Sequence, residues 1–120
     1  MSDHTLREDV TRALLINAAR NGQTVTYAEV AAANGAAWRS VFRTITRHLW
    51  AINATCIANG EPMLGTLVVN RSGAIADNAL DSIADHALLA GRMTKAGRRA
   101  AKCFVRCERQ CAWTYDWGSR

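Results

Sequence analysis

Asn-Gly occurs three times, at 21–22, 34–35 and 59–60, and the only proline is Pro62. Asn and Gly tolerate the left-handed backbone that ends a helix, whereas proline forbids helix continuation. A chain punctuated in this way is free to form helices between fixed stops. Thr5–Asn21 carries Leu6, Val10, Ala13, Leu14 and Asn17 at helical spacing and is expected to be the first helix. Tyr27–Ala33 is expected to be a second, short one. Thr24 or Thr26 can cap it, and Glu29 is placed to return a hydrogen bond if Thr26 is the cap.

The third segment, about Ala37–Ala58, is the most strongly patterned. Trp38, Phe42, Ile45, Leu49, Ile52 and Cys56 form a continuous apolar stripe, with Arg39, Arg43 and Arg47 roughly opposite at one-turn intervals. Met63–Asn70 then reads as a strand, β-branched toward its end, and Arg71–Gly73 as a turn. Ala74–Leu89 is expected to be a helix with Ala76, Leu80, Ile83, Ala84 and Ala87 inward. Gly91–Lys95 breaks it, and Ala96–Trp113 forms the last helix.

The expected fold is mostly α with a small β element: a helix-turn-helix or winged-helix-like three-helix core, a strand and two helices. The chain has 120 residues, 49% of them hydrophobic and 21% charged, which suits one domain with a single modest core. Its core with the strand spans about 5–73, and its helical C-terminal part with an aromatic tail spans about 74–120. No apolar run has signal-peptide or membrane-span length. The expectation is a soluble, cytoplasmic protein with reduced cysteines.

The net charge of +5 permits a polyanionic partner. An arginine on a helix can hold phosphate, or guanine through two parallel hydrogen bonds. Arg39, Arg43 and Arg47 on the second helix of a helix-turn-helix pair therefore point to DNA or RNA, with Tyr27 and Trp38 on the same surface. The alternative is an ordinary solvated helix face. A second row, Lys95, Arg99, Lys102, Arg106 and Arg109, lies on the last helix, and Arg92–Arg109 holds seven basic residues and one acid, Glu108. A phosphate backbone would relieve that repulsion, and so would internal pairing with Asp77, Asp81 and Asp85.

Ala100, Cys103, Phe104, Cys107 and Cys111 occupy another face of that helix and are expected to be buried. Cys103 and Cys111 lie ~12 Å apart along a helix axis, too far for one zinc ion to hold all three thiolates. No metal, cofactor or catalytic residue is expected. His4, His48 and His86 sit in no catalytic motif, and an enzyme would need a pocket joining Tyr27, His48 and Asp85. The tail Trp113-Thr-Tyr-Asp-Trp117 alternates its aromatics, as a short extended segment would. It is expected to pack across the core and pair with Leu67–Val69, the alternative being an exposed anchor for a partner.

The stretch TVTYAEVAAANGAAWRSV resembles the helix-turn-helix of the O6-alkylguanine-DNA alkyltransferases and alkyltransferase-like proteins. Tyr27–Ala31, Arg39 and Val41 carry the match, and Pro62 with Val68–Gly73 is similar to the stretch around and after that family's active site. The resemblance implies a recognition helix in the minor groove. It also implies a phosphate contact for Tyr27 beside a flipped base, and Arg39 standing in for that base in the stack. The family's Pro-Cys-His-Arg is replaced by Pro62-Met-Leu-Gly, so alkyl transfer is excluded. The match covers about a third of the chain. In type, a small chain without a catalytic motif also resembles phage and plasmid accessory proteins. The second expectation is therefore a protein-binding inhibitor or adaptor, for example an anti-defence or anti-CRISPR factor, acting on a nucleic-acid-handling complex.

Overall fold

The computed structural model describes residues 6–118. In chain order the elements are α1 (Glu8–Arg20), β1 (Val25–Thr26), α2 (Tyr27–Ala33), α3 (Trp38–Val41), α4 (Ile45–Ala58), a 3-10 turn (Leu64–Leu67), β2 (Val68–Val69), α5 (Asp77–Leu89) and α6 (Arg98–Thr114). The described residues are mostly helical with one small two-stranded sheet. None of their helices is long and apolar enough to cross a membrane.

The three Asn-Gly pairs stop three helices by one device. Gly22, Gly35 and Gly60 have φ of 64°, 72° and 70°. The residue after each glycine turns its N–H back to a carbonyl five positions earlier: Gln23 to Ala18, Ala36 to Ala31, and Glu61 to Cys56. That is the Schellman arrangement, with Asn as the last half-helical residue and Gly taking the left-handed position. At the start of α2, Thr26 is the cap. Its hydroxyl accepts the Glu29 N–H at 3.1 Å, and the Glu29 carboxylate accepts the Thr26 N–H at 2.8 Å.

The expected single helix over 37–58 is two. Thr44 sends both its N–H and its hydroxyl to the carbonyl of Val41, at 2.9 and 3.1 Å. Such i−3 bonds tighten the turn and shift the phase of the helix. Val41 therefore faces inward in line with Ile45, Leu49, Ile52 and Cys56, while Trp38 and Phe42 are 42% and 47% exposed. In α1 the buried residues are Thr11, Leu15, Ala18 and Ala19, one step away from the expected set.

The expected strand over 63–70 is replaced by the 3-10 turn and the two residues of β2, which pair in parallel with β1, Val25 opposite Val68 and Thr26 opposite Val69. Pro62–Val69 is buried throughout. Leu64, Leu67 and Val68 belong to the core built on α1 and α4, whereas Met63 belongs to the one between α5 and α6. Such a buried segment must find partners for its peptide groups. Asn53 Oδ1 accepts the Gly65 N–H at 2.8 Å, Glu108 Oε2 accepts the Met63 N–H at 2.9 Å, and Arg109 Nε donates to the Thr66 carbonyl at 2.9 Å. Gly65 has no room to change, because a Cβ there would stand 2.5 Å from both terminal atoms of Asn53. Gly65→Ala is expected to cost about 2 kcal/mol or more, from overpacking and the lost hydrogen bond. A urea titration showing wild-type stability would contradict this account of the segment.

On α6 the buried residues are Ala101, Val105, Glu108 and Ala112, so Cys103, Cys107 and Cys111 are exposed free thiols. Their expected burial is wrong because the helix turns its alanines, not its cysteines, toward α5 and the 3-10 turn. Cys56 alone is buried. The tail packs across the core without pairing with Leu67–Val69, whose terminal valines are taken by β1. Trp113 lies within α6 and donates to the Gln23 carbonyl at 3.1 Å. Trp117 donates to the Ala112 carbonyl at 2.8 Å, with the Arg12 guanidinium 5.8 Å from its ring centre.

Candidate nucleic-acid interface

The parallel register builds a cleft. Thr26 and Val69 are partners, and the chain runs from one into α2 at Tyr27 and from the other into the Asn70–Gly73 turn. That turn is closed by the Gly73 N–H on the Asn70 carbonyl, with Gly73 at φ 89°. Between these exits and α3 lies a cleft of about 780 Å³ lined by Thr26, Tyr27, Ala28, Glu29, Trp38, Asn70, Arg71 and Ser72.

An aromatic strip runs along its edge. Tyr27 and Trp38 have ring centres 6.1 Å apart, Trp38 and Phe42 6.2 Å, and the Arg43 guanidinium lies 5.5 Å from the Phe42 ring centre. Tyr27 is itself buried, and its hydroxyl is enclosed without a well-formed hydrogen bond. Burial raises its pKa, opposed by the nearby backbone of Ala76. The ring is therefore a wall of the cleft, and the hydroxyl points into protein.

Arg39, Arg43 and Arg47 are all exposed, and none forms an ion pair among the described residues. They do not form one straight row, however. Arg39 is on α3, Arg43 is in the tightened turn, and Arg47 is on α4, so the bend at Thr44 falls within the set. Two neighbours were missed as surface residues. A straight helix would put Phe42 in the core, and the spacing of Arg71 in its turn carries no signal that it faces the cleft.

The second basic row divides. Arg92 Nη1 meets Glu108 Oε2 at 2.8 Å and the Glu61 carbonyl at 2.8 Å. Arg98 lies 3.4 Å from Asp77 and 3.4 Å from Asp81. Arg109 is half-buried on Thr66, and burial lowers its pKa. Lys95, Arg99, Lys102 and Arg106 are left exposed and unpaired among the described residues, with Lys95 in the loop before α6. Asp77 and Asp81 pair with Arg98, which lies outside that row, and among the described residues no member of the row pairs with Asp77, Asp81 or Asp85.

A polar knot holds the end of α2 and the start of α4 against α1. Thr11 is fully buried. Its hydroxyl accepts from Asn34 Nδ2 at 2.9 Å and lies 2.6 Å from His48 Nε2, while Asn34 Oδ1 accepts the Arg7 N–H at 2.8 Å. With the Asn34 proton on its oxygen, Thr11 is placed to donate to a neutral His48. Burial pulls the His48 pKa below the ordinary histidine value, against the pull of Glu8, and burial does the same to His86 against Asp85. Unfolded, both protonate near pH ~6.5. Their contribution to stability is thus complete above about pH 6.5 and declines as pH falls from there through the folded values. Denaturant titrations between about pH 7.5 and 5 should show that decline, and it should shrink in His48→Gln. A flat profile would remove the role given to burial.

Tyr27, His48 and Asp85 do not converge. Tyr27 faces the cleft, His48 is turned onto Thr11, and Asp85 lies in a separate groove beside Trp50 and His86. No group of three or more metal-ligating side chains forms among the described residues. No family model, curated protein or solved structure matches the chain.

Proposed function

We propose that this chain is a non-enzymatic nucleic-acid-binding protein with a helix-turn-helix, winged-helix-like unit formed by α2, α3 and the start of α4. The observation that carries the reading is a contrast on one stretch of chain. Val41, Ile45 and Leu49 supply the core, while Arg39, Arg43 and Arg47 are exposed and form no ion pair among the described residues, and beside them Trp38 and Phe42 leave large aromatic faces open. Exposed cations interleaved with aromatics suit a nucleic acid, whose phosphates attract the former and whose sugars and bases pack on the latter. Arg71 and Ser72 add a cation and a hydroxyl across the cleft. Lys95, Arg99, Lys102 and Arg106 provide further phosphate attraction.

The test is retention on duplex DNA as salt is raised. Each neutralised phosphate releases counterion, so affinity should fall linearly on logarithmic axes with a slope of about −0.9 per phosphate contact. Retention that does not change with salt would reject the reading. The second reading is a protein-binding adaptor acting on a nucleic-acid-handling complex. It is favoured by the same Trp38 and Phe42, since half-exposed aromatics are typical anchors of protein interfaces. It predicts capture of a protein partner that survives nuclease.

A further inference from the structure

The indole of Trp50 and the acids of α5 meet on a face that neither reading above uses. Two grooves lie there side by side. One, of about 270 Å³, is walled by Ala54 and Ile57 of α4 and by Leu89 and Ala90 at the end of α5. The other, of about 290 Å³, is lined by Asn78, Asp81 and Ser82. Trp50 and Asp85 line both, so one indole and one carboxylate form the ridge between them. Trp50 is 52% exposed and Leu89 89%. The rings of Trp50 and His86 meet edge to face with centres 5.1 Å apart, and His86 Nε2 is enclosed without a hydrogen-bond partner. An open aromatic face and an unpartnered ring nitrogen thus stand at the same ridge. Arg98 takes up Asp77 and Asp81, whereas Asp85 forms no ion pair among the described residues.

We propose that this face docks a basic protein segment, one that sets an arginine beside an apolar side chain on the same side of a helix. The apolar side chain fills the groove between Ala54 and Leu89. The guanidinium enters the other groove, over the Trp50 ring and against Asp85. It suits that pair because it stacks on an indole and binds a carboxylate through parallel hydrogen bonds. The grooves share Trp50 and Asp85, so the two side chains must be close neighbours. Residues three or four apart on a helix, with Cβ atoms ~5–6 Å apart, meet that condition. Other occupants fit less well. Asp81 and Asp85 repel the phosphates of a nucleic acid. In a symmetric pair of this chain the same patch supplies both sides, so acids would face acids. Burial draws His86 toward its neutral form, so it adds little positive charge to the groove. The chain as a whole carries +5, and the attraction for a basic segment is local to this face.

The experiment follows the indole N–H signals of the nitrogen-15-labelled protein by NMR. Trp50 is identified by the signal lost in Trp50→Phe. Trp113 and Trp117, whose indoles donate to backbone carbonyls, serve as references. The probe is an acetylated, amidated alanine-based helical peptide with leucine and arginine four positions apart. On its addition the Trp50 signal should move and the Trp38 signal should not. The same peptide with glutamate in place of arginine should bind about tenfold more weakly or worse. Asp85→Asn should weaken the arginine peptide by about threefold. Asp85 is exposed and makes no ion pair among the described residues, so that variant retains the fold. A Trp50 signal that stays fixed up to ~1 mM peptide, or equal affinity for the two peptides, would overturn the proposal. So would movement of Trp38 in place of Trp50. Movement on concentrating the protein alone would give the face to a second copy, and movement with duplex DNA in place of peptide would give it to nucleic acid; either result rejects the basic segment. The outcome does not depend on whether Arg39, Arg43 and Arg47 bind DNA.

Discussion

Glu108→Ala is expected to remove about 3–5 kcal/mol of stability, the usual cost of taking one partner from a buried ion pair. This carboxylate is the single acid in the basic stretch 92–109, and α6 buries it. One oxygen serves two donors, the Met63 N–H at 2.9 Å and Arg92 Nη1 at 2.8 Å. Alanine would leave a buried peptide N–H without an acceptor and a partly buried guanidinium with only the Glu61 carbonyl. A domain of this size holds only about 5–15 kcal/mol in total, so the loss takes a large share of it. The urea midpoint should fall with the slope unchanged. Glu108→Gln keeps an acceptor but loses the charge, and it should fall between the two. A midpoint within about 1 kcal/mol of wild type would mean that the segment from Pro62 to Val69 is held by its apolar side chains alone.

That segment marks the limit of what could be read from residue order. Helix ends were legible because Asn-Gly and the Thr26/Glu29 box act locally, through a few consecutive peptides. The burial of Ile45, Leu49, Ile52 and Cys56 was legible from spacing. Where a local hydrogen bond altered the spacing, reading failed: Thr44 bonding to Val41 exchanged Val41 for Phe42 at the core. On α6 a stripe of cysteines looked as apolar as a stripe of alanines, and hydrophobicity could not choose between them. The choice is made at a distance, by Met63 and Thr66 needing Glu108 and Arg109 on the inner side. Once those two polar residues must face the 3-10 turn, Ala101, Val105 and Ala112 follow inward and the thiols turn out. The cleft has the same origin. It depends on Thr26 lying beside Val69, a pairing of residues far apart in sequence that no local pattern announces.

Arg39, Arg43 and Arg47 changed together to alanine should lower affinity for duplex DNA by about two decades or more, at ~1–3 kcal/mol for each arginine that reaches a base. Stability should stay within about 0.5 kcal/mol of wild type, because all three are exposed and make no ion pair among the described residues. The comparison should be made at one salt concentration and repeated across several. A loss that is the same for every DNA sequence, with a shallower salt slope, assigns the arginines to phosphates; a loss that depends on sequence assigns them to base edges. The single changes then use the bend at Thr44. On one straight helix the three would contribute as a graded row. With Arg39 on α3, Arg43 in the turn and Arg47 beyond it on α4, the contributions should be unequal, and the weakest position marks the part of the unit that the duplex does not reach. If the triple variant binds DNA as wild type does, the exposed Trp38 and Phe42 are left without a nucleic acid to cover them, and the protein-binding reading takes over the same surface.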